Sequence, residues 1–469
     1  MTSPLRIAVV GHTNAGKTSL LRTLARSRDF GDVSPSPATT RRVEPISLRA
    51  GGVEASLLLS PPGLEDSIGL LEAIDAAAPS REGKADSIER FLASDEATGR
   101  FSQEAKALEA ARAADLLLAV IDARDRVLPR HLDELELLSR CGRPLVPVLN
   151  FIASPAAAPA AWRDALARLG LHAVAEFDTV VFEADGESRL FEKIRTLAEP
   201  HRDAIDRLLA ERARDRRDRR QAAARAIADL LLDSATLIVE VDPGTSEEHT
   251  AVDRLRELVR QRERRGHREL LSIAGFAADD AAVAEAALDS FEVGVDLFSP
   301  EALKAAGFSA ASGAAAGAAL GAAIDLAVGG ISLGAAAGLG AMIGGVLGAT
   351  GRQARKLVML AKGGREASAG DPTLLLLLHR GTTLAKGLER RGHASIEPLP
   401  IEPSGRADLA KDPRRAEPIL AALRTARERL PVRVVAGGRF DESSASPSVL
   451  RSRLRDELSE AIKGLIEAS

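Results

Sequence analysis

Aromatic residues are scarce in this chain: they make up 3% of 469 residues, with no tyrosine, one tryptophan (Trp162) and 12 phenylalanines. Proteins that hold single-stranded nucleic acid without sequence preference stack bases on aromatic side chains, and few are on offer here. A dominant charge of one sign is missing as well. Lys plus Arg total 63 against 67 for Asp plus Glu, a net charge of −4, which excludes a general polycation for nucleic acid. The one cysteine, Cys141, has no intramolecular disulfide partner and leaves no Cys cluster for zinc. It precedes Gly142 at an expected helix end and reads as a small buried residue. The eight histidines show no H-E-x-x-H or other metal-ligand spacing. Met1–Val10 lacks a basic segment followed by a long apolar core, so no secretory leader is expected there. The compartment inferred is the cytoplasm or the inner face of the cell membrane.

What is present is globular in composition, with 45% hydrophobic and 28% charged residues. At roughly 150 residues per domain, the length suggests about three compact units. In residues 1–200, short apolar runs alternate with helical patterns. Leu5–Val10 predicts a strand, Ser19–Arg26 a helix, and Val43–Arg49 with Glu54–Ser60 a strand pair around Gly51-Gly52. Asp115–Asp122 and Pro144–Asn150 are continuous apolar runs of the kind buried inside a parallel sheet. Helices are expected at about 128–141, 159–169 and 187–199, and residues 65–113 predict an inserted helical pair. Strands alternating with helices give an α/β fold with a doubly wound, mostly parallel sheet.

Composition shifts after Pro200. Residues 201–303 read as an Arg-rich helical linker and helical region, its first stretch a long solvated helix laced by i,i+4 ion pairs. Residues 304–352 form a Gly/Ala-rich segment whose one internal charge is Asp325, with glycine ladders at Gly313/Gly317/Gly321, Gly330/Gly334/Gly338 and Gly340/Gly344/Gly348. Residues 305–324 and 326–350 carry no charge and are each long enough to cross a bilayer. Small residues at four-residue spacing let helices approach closely, so the segment predicts a glycine-zipper hairpin. Two readings stand for it: membrane insertion or association, with Lys304, Arg352, Arg355 and Lys356 flanking, and a packed helical hairpin within a soluble core. Residues 353–469 read as a C-terminal α+β region, with an apolar run at Leu374–Leu378, a strand at Pro431–Val435, and loops at Pro398–Pro403 and Ser443–Pro447. The Arg-rich helix and the ladders also make a homo-oligomer a candidate state.

The strongest chemical signal is Gly11-His12-Thr13-Asn14-Ala15-Gly16-Lys17-Thr18, which matches G-x-x-x-x-G-K-[ST] in full. It follows a β-rich run and opens an amphipathic helix, as a phosphate loop must. Glycines let backbone N–H groups turn around a phosphate, Lys17 neutralises β/γ oxygens, Thr18 ligates Mg²⁺, and the helix N-terminus adds its dipole. His12 reads as a variable position of this loop or as a nucleotide contact.

Residues 5–199 resemble a GTPase domain of the TrmE–Era type, on N-A-G-K-T, A-T-T-R (Ala38–Arg41), P-P-G-L-E-D (Pro61–Asp66) and the strand-terminal Asn150. The whole chain resembles a bacterial two-domain family in which such a GTPase precedes a domain of unknown function. The resemblance implies nucleotide contacts at Asn14, Ala15, Gly16, Lys17, Thr18, Ser19, Asn150 and Phe151. It makes Thr40 the switch threonine that completes the Mg²⁺ shell, with Thr39 beside it. Gly63 becomes the backbone N–H donor to the γ-phosphate, and Asn14 a holder of K⁺. Three departures stand out. Ser60 replaces the Asp that holds Mg²⁺ through water, Leu64 stands where a water-orienting glutamine sits in Ras-like enzymes, and the base motif reads Asn150-Phe151-Ile152-Ala153 without its closing Asp. The missing Asp is the one that pairs with guanine N1 and N2, so ATP is a competing ligand, while Phe151 offers a face for a purine. Glu65 or Asp66 are the candidate substitutes for the lost Mg²⁺ partner. The implied activity is slow, Mg²⁺-dependent and K⁺-stimulated GTP hydrolysis that switches the C-terminal region. The alternatives are a nucleotide-binding scaffold without turnover and an RNA or ribosome-assembly GTPase.

Overall fold

The computed structural model describes residues 3–25, 44–50, 53–76, 86–180, 184–241, 248–275, 324–328, 365–389, 413–435 and 448–467. It divides into two compact units, Met1–Arg216 with Glu389–Ile396 and Arg217–Leu388 with Glu397–Ser469.

The first unit is built on a six-stranded sheet of order β2-β3-β1-β4-β5-β6. Its strands are β1 (Leu5–Val10), β2 (Glu44–Ala50), β3 (Val53–Ser60), β4 (Leu116–Asp122), β5 (Leu145–Asn150) and β6 (Ala175–Glu176). Only β2 and β3 pair antiparallel; β3-β1-β4-β5-β6 run parallel. Every residue of β1 except Arg6 is buried, and β5 is buried throughout. Helices cover both faces of such a sheet, so its central strands lose the alternation of a half-exposed strand and appear as continuous apolar runs. Helices α1 (Lys17–Ala25), α6 (Pro129–Arg140), α7 (Pro159–Arg168) and α8 (Ala184–Leu197) fall where the sequence predicts them. Among the described residues the insertion holds four helices rather than a pair: α2 (Ser67–Ala76), α3 (Ser87–Leu92), α4 (Asp95–Thr98) and α5 (Ser102–Ala113). Two of these, α3 and α4, are too short to show a helical period in sequence. Two apolar cores result, one packing α1 and α8 and the other gathering the insertion with Trp162 and Leu138.

Helix α9 (Arg202–Thr236) is the long helix expected from the Arg-rich stretch. Ion pairs from its first half run to another helix: Arg212 lies 3.8 Å from Glu187 and Arg216 3.9 Å from Asp185, both on α8. From Ala223 onward α9 turns apolar and buries Ile227, Leu231 and Leu232 in the core of the second unit. That unit adds α10 (Glu248–Ile273), α11 (Asp371–Glu389), α12 (Glu417–Arg429) and α13 (Val449–Glu467). It also contains a second sheet, of order β10-β7-β9-β8, that helical patterning does not reveal. Strand β7 (Leu237–Val241) follows α9 directly and is a short strand within the stretch 201–303 that reads as helical. It is only five residues long, and pairing with β9 (Arg365–Ala369) and β10 (Val432–Val435) supplies partners distant in sequence. Strand β8 (Ile324–Val328) lies within the stretch predicted as a glycine-zipper hairpin, so those five residues are strand and not helix, paired antiparallel with β9. The glycine ladders and the loops at 398–403 and 443–447 lie outside the described residues. Among the described residues no helix is long and apolar enough to cross a membrane. The run Leu374–Leu378 lies in α11 and is buried except for the partly buried Leu375, and Gly381 on the same helix lets Ile227 approach so closely that a Cβ there would meet its Cγ1 at 3.1 Å. Arg380 and Glu263 form a buried ion pair at 3.1 Å.

Burial, reinforced by the charges of Arg380 and Lys386, pushes the mostly buried His379 imidazole down from 6.5 to about 4. The native state therefore refuses a proton that the unfolded chain takes up below 6.5. Stability from this residue is complete above that value and falls as the pH drops toward 4, by up to about 3 kcal/mol. Chemical unfolding at pH 7.5 and 4.5 should show the loss, and His379→Gln should shrink the difference. An equal loss in the variant would assign the effect to other groups.

Candidate nucleotide-binding site

The site forms at the carboxyl end of the sheet, where β1 gives way to the loop of residues 11–16 and α1 begins. Lys17 folds back over this loop and donates from Nζ to the carbonyls of Gly11 and His12, both at 2.8 Å. An ammonium carries three donors, so a third is left for a phosphate oxygen. Burial lowers the Lys17 pKa, opposed by the charges of Glu134 and Glu65.

Backbone conformation explains the glycines. Gly11 has φ +139° and Gly16 φ +92°, and a Cβ on Gly16 would stand 2.2 Å from Asn150 Nδ2. Asn14 (φ 68°) and Phe151 (φ 58°) are the two non-glycine residues with positive φ among the described residues, and both lie here. Left-handed backbone is strained for side-chain-bearing residues, least so for Asn. Its concentration at one place marks a loop shaped for a ligand.

Asn150 closes β5 and is fully buried. Its Nδ2 donates to the carbonyl of Ala15 at 3.0 Å, and its Oδ1 accepts the N–H of Phe151 at 2.9 Å and of Thr179 at 3.0 Å. One side chain thus joins the phosphate loop, the end of β5 and the loop after β6. Phe151 packs beside Gly16, and the Arg124 guanidinium lies 4.0 Å from the centre of its ring. Asp122 holds that guanidinium at 2.6 Å. The face of Phe151 expected to receive a purine is thus covered by an arginine on at least one side.

Gly63 stands next to Lys17: a Cβ on it would lie 3.4 Å from Nζ. Ser60 ends β3 and is buried at 1% exposure. Leu64 is equally buried, in the apolar core with Leu70 and Ile74, and does not present itself to a water at the site. The two acidic candidates separate. Asp66 accepts the Gly69 N–H and pairs with Arg100 at 2.7 Å, whereas Glu65 is exposed and close enough to act on Lys17. Thr18 and Ser19 are partly exposed on the first turn of α1. Thr39 and Thr40 lie outside the described residues. Among the described residues no three His, Cys, Asp or Glu side chains converge on a metal position.

Two features escape sequence reading. A cavity of ≈ 300 Å³ adjoins residues 11–15, the end of β4 and α6, and Glu134 reaches it from α6. Burial raises the Glu134 pKa against the pull of Lys17 and Arg130, and its Oε2 lies 3.9 Å from His12 Nδ1. An acid sharing the buried stripe of α6 with His131 and Leu138 was the available signal. The second feature is Asp178, whose carboxylate accepts the N–H of Ala153 at 2.9 Å and of Val180 at 2.8 Å. It follows a two-residue strand too short to announce itself.

Replacing Asn150 with Ala leaves the Ala15 carbonyl and the Thr179 N–H without this partner in a buried setting. At roughly 1–3 kcal/mol for each orphaned group, urea unfolding of the variant should show a clear loss of stability, accompanied by weakened nucleotide binding.

Residues 6–151 match the family model described as 50S ribosome-binding GTPase, and residues 163–442 match the model for a domain of unknown function, DUF3482. Among solved structures, the chain is similar to Era in complex with MgGDPNP and nucleotides 1506–1542 of 16S ribosomal RNA, at 18% identity, with 38% of this chain and about half (52%) of that chain covered and a TM-score of 0.28. A tyrosine-to-alanine variant of Aquifex aeolicus Era bound to GDP.AlF4⁻ matches at 16% identity, over 58% of this chain and 90% of that one, with a TM-score of 0.30. The G domain of the T. maritima FeoB iron transporter matches at 20% identity, over 42% and 99%, with a TM-score of 0.25. A search of curated proteins finds no match. With well over half its length matched by the second model, the chain belongs to the DUF3482 family, and it carries a P-loop GTPase domain ahead of that family's domain of unknown function.

Proposed function

We propose that the first unit is a slow GTPase of the TrmE–Era type that binds Mg²⁺·GTP on residues 11–18 and signals its nucleotide state to the C-terminal unit. The observation that carries this reading is the formed cradle: Lys17 on the Gly11 and His12 carbonyls, left-handed backbone at Asn14 and Gly16, and Asn150 tying the loop to β5. Lys17 directs its remaining donor to the β/γ oxygens and neutralises the charge that builds on them during phosphoryl transfer. Ala15, Gly16, Thr18 and Ser19 surround the phosphates, and Gly63, beside Lys17, donates its backbone N–H to the γ-phosphate. Thr18 and Thr40 would hold Mg²⁺, which would supply charge neutralisation at the phosphates. The neutral Ser60 is a weaker outer partner than a carboxylate, and the buried Leu64 orients no water. Both slow the reaction. Asn14, which is exposed, would hold a K⁺ that makes up part of the missing charge stabilisation. Ordering of the switch loops around γ-phosphate, and their release after hydrolysis, is the signal. The C-terminal unit, including residues 305–350, would meet a membrane or partner surface.

A second reading, a nucleotide-gated scaffold without turnover, is favoured by Ser60, by Ala153 and by Arg124 lying over Phe151. Turnover of GTP and of ATP by the purified chain in K⁺ and in Na⁺ buffer separates the two. The GTPase reading expects K⁺-stimulated GTP hydrolysis that is lost in Asn14→Ala, and loss of phosphate release in Lys17→Ala. A wild-type rate no higher than that of Lys17→Ala, with nucleotide still bound, establishes the scaffold.

A further inference from the structure

This inference rests on the GTP-binding reading and concerns the side chain that tells guanine from adenine. Ligands of open α/β sheets lie in the crevice beyond the carboxyl ends of the strands. A nucleotide with its phosphates on residues 11–18 therefore carries its base across the ends of β5 and β6. Asn150 holds these two ends together, through the N–H groups of Phe151 and Thr179. Three residues past Asn150, where a guanine-reading carboxylate is missing, stands Ala153, whose methyl group accepts no hydrogen bond. The backbone N–H of Ala153 instead donates to Asp178 Oδ2 at 2.9 Å, so a carboxylate from the adjoining loop is held against the vacated position. The other oxygen accepts the Val180 N–H at 2.8 Å, which fixes the plane of the carboxylate, and Asp178 is 7% exposed.

An ionised carboxylate is an acceptor only, with about four acceptor sites. Guanine presents two adjacent donors, N1–H and the N2 amino group. Adenine presents an N1 acceptor beside its amino group, and that lone pair faces a carboxylate unfavourably. We propose that Asp178 is the guanine-selecting residue of this chain, supplying from the loop after β6 the carboxylate that position 153 lacks. Sequence reading leaves the guanine preference implied by the resemblance without its usual residue, because the two loops are brought together only by folding.

The test is equilibrium binding of GTP, ATP and xanthosine triphosphate to the full chain, read as affinity ratios so that a general weakening cancels. Wild type should prefer GTP to ATP. Asp178→Asn should weaken GTP roughly ten- to hundredfold, the worth of a bidentate base contact, and should favour xanthosine triphosphate, whose O2 accepts from the new amide. Adding Ala153→Asp to that variant should restore the GTP preference. Asp178→Ser, which keeps a short hydroxyl cap for the Val180 N–H, should bring the GTP-to-ATP ratio toward one even if the Asn variant does not fold. Unchanged ratios in folded variants, or equal loss of all three nucleotides with no rescue, would make Asp178 a backbone clamp and overturn the proposal. A wild-type chain that binds GTP and ATP alike overturns it too while leaving nucleotide binding intact. Failure of wild type to bind any of the three instead removes the GTP-binding reading, and this one with it.

Discussion

The nucleotide site depends on the buried amide of Asn150. A carboxamide can donate and accept at once, and here it does both: it takes the Phe151 and Thr179 N–H groups on one atom and gives to Ala15 from the other. No apolar residue of similar size could bind two N–H groups and a carbonyl. Because the three partners belong to the phosphate loop, the end of β5 and the loop after β6, their spacing is set by hydrogen-bond length rather than by loop preference. The close passage of Gly16 follows directly, since a methyl group there would occupy the space of the amide.

Charge in the site is arranged with similar economy. Lys17 lies among carbonyls, and Glu134 and Glu65 offset part, not all, of the cost of burying its cation. Its remaining donor is open to a strong partner, an anionic phosphate oxygen. The catalytic side is less well provided, because Ser60 and Leu64 are both buried and neither supplies a charge or an aligned water.

The second unit shows why a helical sequence can conceal a sheet. Strand β7 is five residues between helices of 35 and 26, and its partners β9 and β10 lie more than a hundred residues away. Helical periodicity is local and survives in sequence. A short buried strand is stabilised by neighbours that a sequence window does not contain. The same holds for β8, whose residues Ile324–Val328 lie in a Gly/Ala-rich run that reads as helix.

Residues 11–18, the continuous apolar runs of β4 and β5, and the helices following them were determined by the sequence alone, because glycine spacing, strand hydrophobicity and the 3.6-residue period are each written in consecutive residues. The sequence also showed what was lost, at Ser60 and Ala153, since an absent carboxylate is visible wherever a motif is. Only the tertiary structure decided what stands near those gaps. It separated Glu65 from Asp66, turned Leu64 into the core, laid Arg124 over Phe151 and brought Asp178 to Ala153 across 25 residues. Each of these depends on which loops the parallel sheet places side by side, and the order of strands in a sheet is not the order of strands in the chain.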